Sequence, residues 1–372
     1  MKKYLLLLAF LFLFCSFLQD SNMNVSLLPE DDLITLIFAG DIMGHTPQFK
    51  AAYNSQTKKY NYDICFQYVK KHIESADLAI ANLEVPIAGK PYSGYPSFST
   101  PDALLDGLKN AGYDILLTAN NHILDRGKSG LERTIRQLEK RNMFYAGSYI
   151  DKNQRDTIYP LIIDSKGVKL AFLNYTYGTN QYVVSKPNIV NYIDSQQIIN
   201  DIHKADELGA DLKIMTIHWG TEYELHSNEI QQGLAHFFVD QGINLIIGSH
   251  PHVVQNAEVL YGKDSMVVPV YYSLGNFISN QRKVNTNGGI MVKVDISSKT
   301  KSVINTSFLP VYVYRGVLDG VYQYHLLPVT DFIQNPSCFS IGKSDSILLT
   351  NFGRETQSRL SNMILFSNST LK

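Results

Sequence analysis

Cysteine, tryptophan and net charge are all scarce in this sequence, and each shortage closes off a class of explanation. Three cysteines, at positions 15, 65 and 338, stand among 372 residues with a single tryptophan. With Cys15 set aside in an N-terminal leader, one pair remains, separated by most of the chain. That is neither a disulfide framework nor thiolate ligand spacing, so any metal ligands are oxygen and imidazole. Charged residues make up only 18% and the formal net charge is −1. No electrostatic footprint for nucleic acid or anionic lipid is present, and an anion has to be held by a local site. Internal repeats and low-complexity stretches are also missing. Hydrophobic residues, at 45%, indicate a globular chain, long enough for one large α/β domain with an appendage or for two ordinary domains.

The N-terminus reads as an export signal. Lys2 and Lys3 precede an almost unbroken apolar run from Tyr4 to Leu18, and the sequence turns polar at Gln19, Asp20, Ser21 and Asn22. The run is short for a membrane span and has no polar face, so residues 1–22 are expected to be a signal peptide or N-terminal anchor. Cys15 stands where a lipoprotein signal carries its acylated cysteine, but Phe14 before it is bulkier than that pattern uses. Export to the periplasm or cell surface is the expectation; cleavage, lipid anchoring and an uncleaved anchor stay open.

From Leu33 onward short apolar runs alternate with amphipathic stretches. The runs are Leu33–Phe38, Asp77–Ala81, Ile115–Leu117, Leu170–Leu173, Ile214–Ile217, Ile243–Ile247 and Val267–Tyr272. They are mostly too short for helices, rich in Ile, Leu and Val, and followed by Gly, Asn or His, as buried strands are. Lys128–Arg141, Ser195–Leu208 with its Asp194/Ser195 cap signal, and Asn228–Gln241 before Gly242 read as helices. The alternation predicts an α/β fold whose site lies at the carboxyl ends of strands. After Ser298 the character changes. Ser302–Tyr314 is β-rich and Tyr322–Lys372 gives mixed signals, so residues 31–298 are read as the main domain and 299–372 as a C-terminal extension.

The chemistry-bearing residues gather where the apolar runs end. The first run leads into Gly40-Asp41-Ile42-Met43-Gly44-His45, the second into Asn82-Leu83-Glu84, and the third into Asn120-Asn121-His122, with Asp125 and Arg126 just beyond. The fifth leads into His218-Trp219-Gly220-Thr221-Glu222 and the sixth into Gly248-Ser249-His250-Pro251-His252. His72, His203 and His236 lie inside helix-like segments and read as packing or surface residues. Two adjacent divalent cations need hard oxygen and imidazole ligands and a carboxylate to bridge them, and in return acidify a bound water. Asp41 and Glu84 offer carboxylates, Asn121 an amide oxygen, and His218, His250 and His252 imidazoles. Pro251 is expected to hold His250 extended, so that His250 and His252 reach one cluster. Each motif alone has a plain structural explanation. All five together at strand ends do not, because buried charges and imidazoles are costly unless paired or ligating.

Asp41-Ile-Met-Gly-His45, Asn82-Leu-Glu84, Ala119-Asn-Asn-His122, His218-Trp-Gly-Thr-Glu222-Tyr223, Gly248-Ser-His-Pro-His252 and Ser273-Leu-Gly-Asn-Phe277 resemble, in order, the motif set of the CapA-like poly-γ-glutamate capsule synthesis family. That family resembles the calcineurin-like metallophosphoesterases. The resemblance implies a four-layer α/β/β/α sandwich, to which the C-terminal β-rich extension is added, with a site for two divalent metal ions; mixed nitrogen and oxygen ligands suit Mn, Fe or Zn. It implies that Asp41 and His252 bind one metal, that Asn121, His218 and His250 bind the other, and that Glu84 bridges them. His122 becomes the acid that protonates a leaving group or steadies developing charge. Two departures from the general phosphoesterase pattern fall near the first metal: Met43 stands where a histidine is usual, and the bridging residue is Glu84 instead of an aspartate. His45 either replaces the missing ligand or contacts substrate. Asn82, Glu222, Tyr223 and Asn276 are candidate substrate contacts, Glu222 and Tyr223 alternatively orienting His218, and Arg126 and Arg282 are candidate anion contacts.

The resemblance thus predicts an exported metal-dependent hydrolase of a capsule or envelope polymer, cleaving a phosphoester or a γ-glutamyl amide. A rival expectation is a membrane-associated accessory protein that binds an anionic capsule polymer, or joins a membrane-bound synthesis complex, without catalysis.

Overall fold

The computed structural model describes residues 32–365; the expected leader, residues 1–22, lies outside them. Two mixed β-sheets form the centre. In the first, Leu33–Ile42 runs parallel to Leu78–Leu83, followed outward by Ile115–Leu117 and Phe144–Ala146. On its other side it pairs antiparallel with Gly288–Ser297, which leads to Ser302–Leu318 and Val321–Pro328. The second sheet has parallel Val168–Thr176, Leu212–His218, Leu245–Ser249 and Val267–Tyr271 at its centre, with Leu161–Ser165 and Ala257–Tyr261 antiparallel at its edges. Every apolar run read from the sequence overlaps one of these strands, with ends that differ by at most two residues where the run extends beyond its strand.

The strands are apolar along their length because both faces are covered. Helices Ala103–Ala111 and Gly127–Glu139 are crossovers of the first sheet and bury Leu104, Leu105, Leu108, Leu131, Ile135 and Leu138. Ser195–Glu207 and Glu229–Asp240 are crossovers of the second, burying Ile198, Ile202, Phe238 and Val239. Each such side chain contributes about 1.5–3 kcal/mol of transfer free energy. The result is the expected α/β/β/α sandwich. The three helices read from the sequence form within two residues of their expected ends, and Asp194 and Asn228 cap the second and third by accepting from the backbone N–H of Gln197 and Gln231.

The C-terminal strands are present and continue the first sheet: Ser302–Leu318 pairs along its length with Gly288–Ser297, and helix Lys343–Arg359 packs on it. Two glycines set the geometry at the strand ends. Gly40 lies at a register shift between Leu33–Ile42 and Leu78–Leu83, and a Cβ there would sit 2.0 Å from the carbonyl oxygen of Gly275. Gly248 likewise brings its strand against Tyr272, whose carbonyl oxygen would be 2.0 Å from a Cβ. Among the described residues no helix is long and apolar enough to cross a membrane, and Cys65 and Cys338 are unpaired.

Candidate functional site

The parallel strands of both sheets point their carboxyl ends at one place. Asp41 comes from the end of Leu33–Ile42, Glu84 directly follows Leu78–Leu83, and Asn121 and His122 lie on the loop after Ile115–Leu117. From the second sheet come His218, the last residue of its strand, and His250 and His252 just past Leu245–Ser249. Five segments distant in sequence thus deliver side chains to one buried cluster, in which Asp41, Glu84 and His218 are fully buried and Asn121, His250 and His252 nearly so.

The donor atoms fall into two groups that share one carboxylate. Glu84, His218 and His250 form one, Asp41, Glu84 and His252 the other, and within each group the ligand atoms lie within 4.8 Å of one another. Asn121 Oδ1 lies 3.0 Å from His218 Nε2, extending the first group. Glu84 Oε1 is 3.6 Å from His218 Nε2 and 3.7 Å from His252 Nε2. Neither oxygen of Glu84 has a hydrogen-bond partner. Burial first, and then the neighbouring Asp41, push its carboxyl well above the usual range. Burial pushes the imidazoles the other way: His218 falls well below its ordinary value and His250 to about 3, in each case with a neighbouring imidazole adding to the effect. Neutral imidazoles are the metal-binding form. A buried carboxyl without a hydrogen-bond partner, set between the His218 and His252 rings and beside Asp41, is costly unless a cation completes it. The donor set therefore fits divalent-cation binding, with Glu84 common to both groups of ligand atoms.

Behind these groups lies a layer that orients them. Asn82 donates from Nδ2 to Asp41 Oδ1 at 2.8 Å and approaches His218 Nδ1 at 3.3 Å, while Asn120 donates to the backbone oxygen of Leu83 at 2.8 Å. Asn82 is only 2% exposed, and its amide is committed to these partners. Ser249 Oγ lies 3.0 Å from His218 Nδ1, and His218 Nε2 faces Asn121 Oδ1 and Glu84 Oε1. His252 Nδ1 lies 3.2 Å from Asp41 Oδ2.

One local expectation is corrected. Pro251 does not hold His250 extended: His250 has φ 101° and His252 φ 59°. The turn has to fold back for both imidazoles to face the carboxylates, and that tertiary demand overrides the pre-proline preference. It is secured where Tyr223, itself at φ 71°, donates its backbone N–H to Pro251 O at 2.8 Å.

His122 lies beside the donor groups. Its Nδ1 is 2.9 Å from Asp125 Oδ2, which also accepts from the Phe98 backbone N–H at 2.8 Å. The Phe98 ring meets His122 edge-on at 4.8 Å and His45 at 5.2 Å, forming a wall between them. His45 belongs to neither donor group. Its Nδ1 lies 3.0 Å from the acceptor Gln48 Oε1 and 3.3 Å from the backbone nitrogen of Asn280, and burial lowers its pKa to about 4. Met43 is buried in the core.

The remaining candidates lie around the rim or behind the site. Glu222 is exposed; the Tyr223 ring is 6.1 Å from that of His252, and Lys283 Nζ sits 3.5 Å above the Tyr223 ring. Asn276 is fully buried and donates to Gln281 Oε1 and Thr286 O, bracing the following loop, while its Oδ1 has no partner. Arg126 donates to Pro91 O, and Arg282 lies over the Tyr324 ring. Sequence reasoning passed over Tyr177 and Asn180. The half-exposed Tyr177 ring lies parallel to His218 at 6.2 Å and 4.6 Å from His250, and Asn180 Nδ2 donates to the backbone oxygen of Asn121 at 3.0 Å. Their signal was that Val168–Thr176 runs three residues past its apolar stretch and ends level with the other strands.

The sequence is 26% identical over 301 residues to the capsule biosynthesis protein CapA of Bacillus anthracis, covering 77% of this chain and 69% of that protein. It is 29% identical over 272 residues to the PGA biosynthesis protein CapA of Bacillus subtilis, covering 71% and 68%. Among solved structures, a phosphatase of Mycoplasma pneumoniae superposes with a TM-score of 0.47 at 17% identity, covering 76% of this chain and 94% of that one. The description "Bacterial capsule synthesis protein PGA_cap" matches residues 35–281, a span that holds every donor above, and the chain belongs to that family.

Proposed function

We propose that this chain is an exported metal-dependent hydrolase acting in the synthesis or processing of a capsule or envelope polymer of the poly-γ-glutamate type. The observation that carries the reading is Glu84: a fully buried carboxyl with no hydrogen-bond partner, shared by two convergent groups of ligand atoms. The names of the two CapA relatives supply the polymer. The apolar run over residues 4–18 supplies export.

Asp41, Glu84 and His252 would hold one divalent cation, and Glu84, Asn121, His218 and His250 the other; imidazole with oxygen suits Mn, Fe or Zn. Such a pair supplies Lewis acidity and a water acidified towards neutral pH. The chain's own residues do the rest. Asn82 and Ser249 fix the orientation of Asp41 and His218, so the ligands are set before substrate arrives. Asp125 accepts from His122 Nδ1–H and so orients the ring, and its carboxylate offsets the ring's positive charge when Nε2 also carries the proton to be passed to the leaving group. Phe98 and Tyr177 cover the flanks and limit water around the reacting bond. Phosphorus and carbonyl centres both suit such a site.

The test is elemental mass spectrometry on the purified chain beside His250→Ala, followed by turnover on phosphoester and γ-glutamyl substrates. About two equivalents of transition metal, reduced in the variant and accompanied by turnover, is the expected result. A wild type that stays metal-free after incubation with Mn, Fe and Zn would overturn it. Met43, buried where the general phosphoesterase pattern carries a ligand, favours a second reading. In it the chain holds an anionic polymer for a membrane-bound synthesis complex without cleaving it, and turnover on either substrate class would exclude it.

A further inference from the structure

Beside the metal-ligand cluster lies a groove of about 410 Å³. One edge is formed by the loop after Asn276–Ile278, carrying Arg282 and Lys283, together with Arg315 from the long strand Ser302–Leu318. All three are exposed, and no ion pair among the described residues engages any of them. In a chain of net charge −1, three uncompensated cations on one edge are a local concentration of positive potential.

This edge is joined to the candidate site by direct contacts. Lys283 Nζ sits 3.5 Å over the Tyr223 ring, and that ring is 6.1 Å from His252. Arg315 Nη1 lies 3.3 Å from Asn280 Oδ1, and the Asn280 N–H points at His45 Nδ1. The loop itself is braced from beneath by the buried Asn276 amide. The opposite wall belongs to helix Lys343–Arg359 and carries Asp345 and Glu355. The groove is therefore cationic on the side next to the ligand cluster and acidic on the far side.

We infer that this basic edge is a subsite for the carboxylates of an acidic polymer strand lying next to the metal site, with Arg282, Lys283 and Arg315 pairing to successive carboxylates. The acidic wall repels the strand and keeps it on the loop side. Guanidinium groups suit this role because they meet carboxylates in a planar, two-point fashion and stay charged at any working pH. The assignment rests on the polymer reading proposed above, and it names where that polymer is gripped.

The test uses the full-length chain and a fluorescent γ-linked glutamate decamer, with affinity measured by anisotropy at several salt concentrations. Arg282→Gln with Arg315→Gln is expected to weaken binding roughly tenfold or more and to flatten its salt dependence. Asp345→Asn with Glu355→Gln is expected to tighten binding several-fold, a gain that no folding defect can mimic. Metal content stays at the wild-type level in both. Unchanged affinity in the arginine variant, no binding by wild type at millimolar decamer, or weaker binding in the acidic-wall variant would each overturn the inference. The last of these would indicate a zwitterionic chain end in place of a polyanionic strand. The proposed hydrolase fails separately: a metal-free wild type sinks that reading whatever the decamer does, and a metal-loaded, active chain with an inert groove sinks only this one.

Discussion

Replacing Glu84 by glutamine separates the cost of the site from its use. The side chain is fully buried, neither oxygen is hydrogen-bonded, and Asp41 stands beside it. Without metal, Glu84 is a liability, because burying an unsatisfied acidic group costs on the order of 1–3 kcal/mol. Glutamine has the same shape and no charge, and its amide can donate to the Asp41 carboxylate. In chelator the variant should therefore be more stable than wild type by about 2 kcal/mol. With an unfolding entropy near 0.7 kcal/mol/K for a folded unit of this size, that is about 3 °C in Tm. With metal the order reverses. A cation at a hundred times its Kd stabilises by about 2.7 kcal/mol, or about 4 °C, and on the proposed reading wild type would hold two through the shared carboxylate where the variant would lose at least one. The assay is a pair of calorimetric scans, in EDTA and in excess Mn or Zn, for both proteins. A purely structural Glu84 would make the variant less stable in both conditions with an equal metal increment, and that result would refute the reasoning.

Two further expectations follow from the groups around the cluster. Removing His122 should lower turnover by about 10²–10⁴-fold on substrates with poor leaving groups and much less on activated aryl esters, with metal content unchanged. Asp125→Asn should show the same pattern in milder form, and an equal loss on both substrate types would rule out the proton-donating role. His45 sets a pH limit on stability. Its folded-state pKa, lowered to about 4 by burial, lies below the unfolded value near 6.5. Between those values the unfolded chain binds the extra proton, so stability falls as pH drops from about 6.5 to about 4, by on the order of 2 kcal/mol after solvent screening. Urea denaturation of His45→Gln across this range should lack that part of the slope, and a parallel slope would remove His45 as its source.

The legible parts of the molecule were those governed by short-range rules. Buried parallel strands such as Ile115–Leu117 and Ile214–Ile217 announce themselves because both faces are covered, and Asp194 and Asn228 mark helix starts by chemistry that acts within three residues. The donor set was legible for a related reason: strand ends in an α/β fold point one way, so residues at those ends converge whatever the loops do. What could not be read depends on partners far away in sequence. Asn82 looked like a substrate contact, but its amide is taken up by Asp41 and His218, 136 residues on. Asn276 has a free-looking amide in sequence and a committed one in the fold. Tyr177 follows a run whose apolar part stops at Leu173, and only the pairing of Thr176 with His218 in the sheet brings it over the imidazoles.

The backbone at the two rim turns gives the most direct physical argument that this place is functional. His250, His252 and Tyr223 all adopt left-handed φ values, which cost a non-glycine residue on the order of 1–3 kcal/mol each. A chain selected only for stability would place glycine at such positions, as it does at Gly220 and Gly275 nearby. Glycine has no imidazole. The two histidines persist in strained geometry because only the turned-back backbone presents both rings to Asp41 and Glu84, and the Tyr223–Pro251 hydrogen bond ties the second turn to the first. The same three residues link the ligand cluster to the groove, since Tyr223 touches His252 on one side and Lys283 on the other. The strain and the buried carboxyl without donors are therefore two costs gathered in one region, and the exposed cations of the groove place positive potential beside them. A cation pair is the ligand that would offset both costs, and an acidic strand the one that would meet that potential.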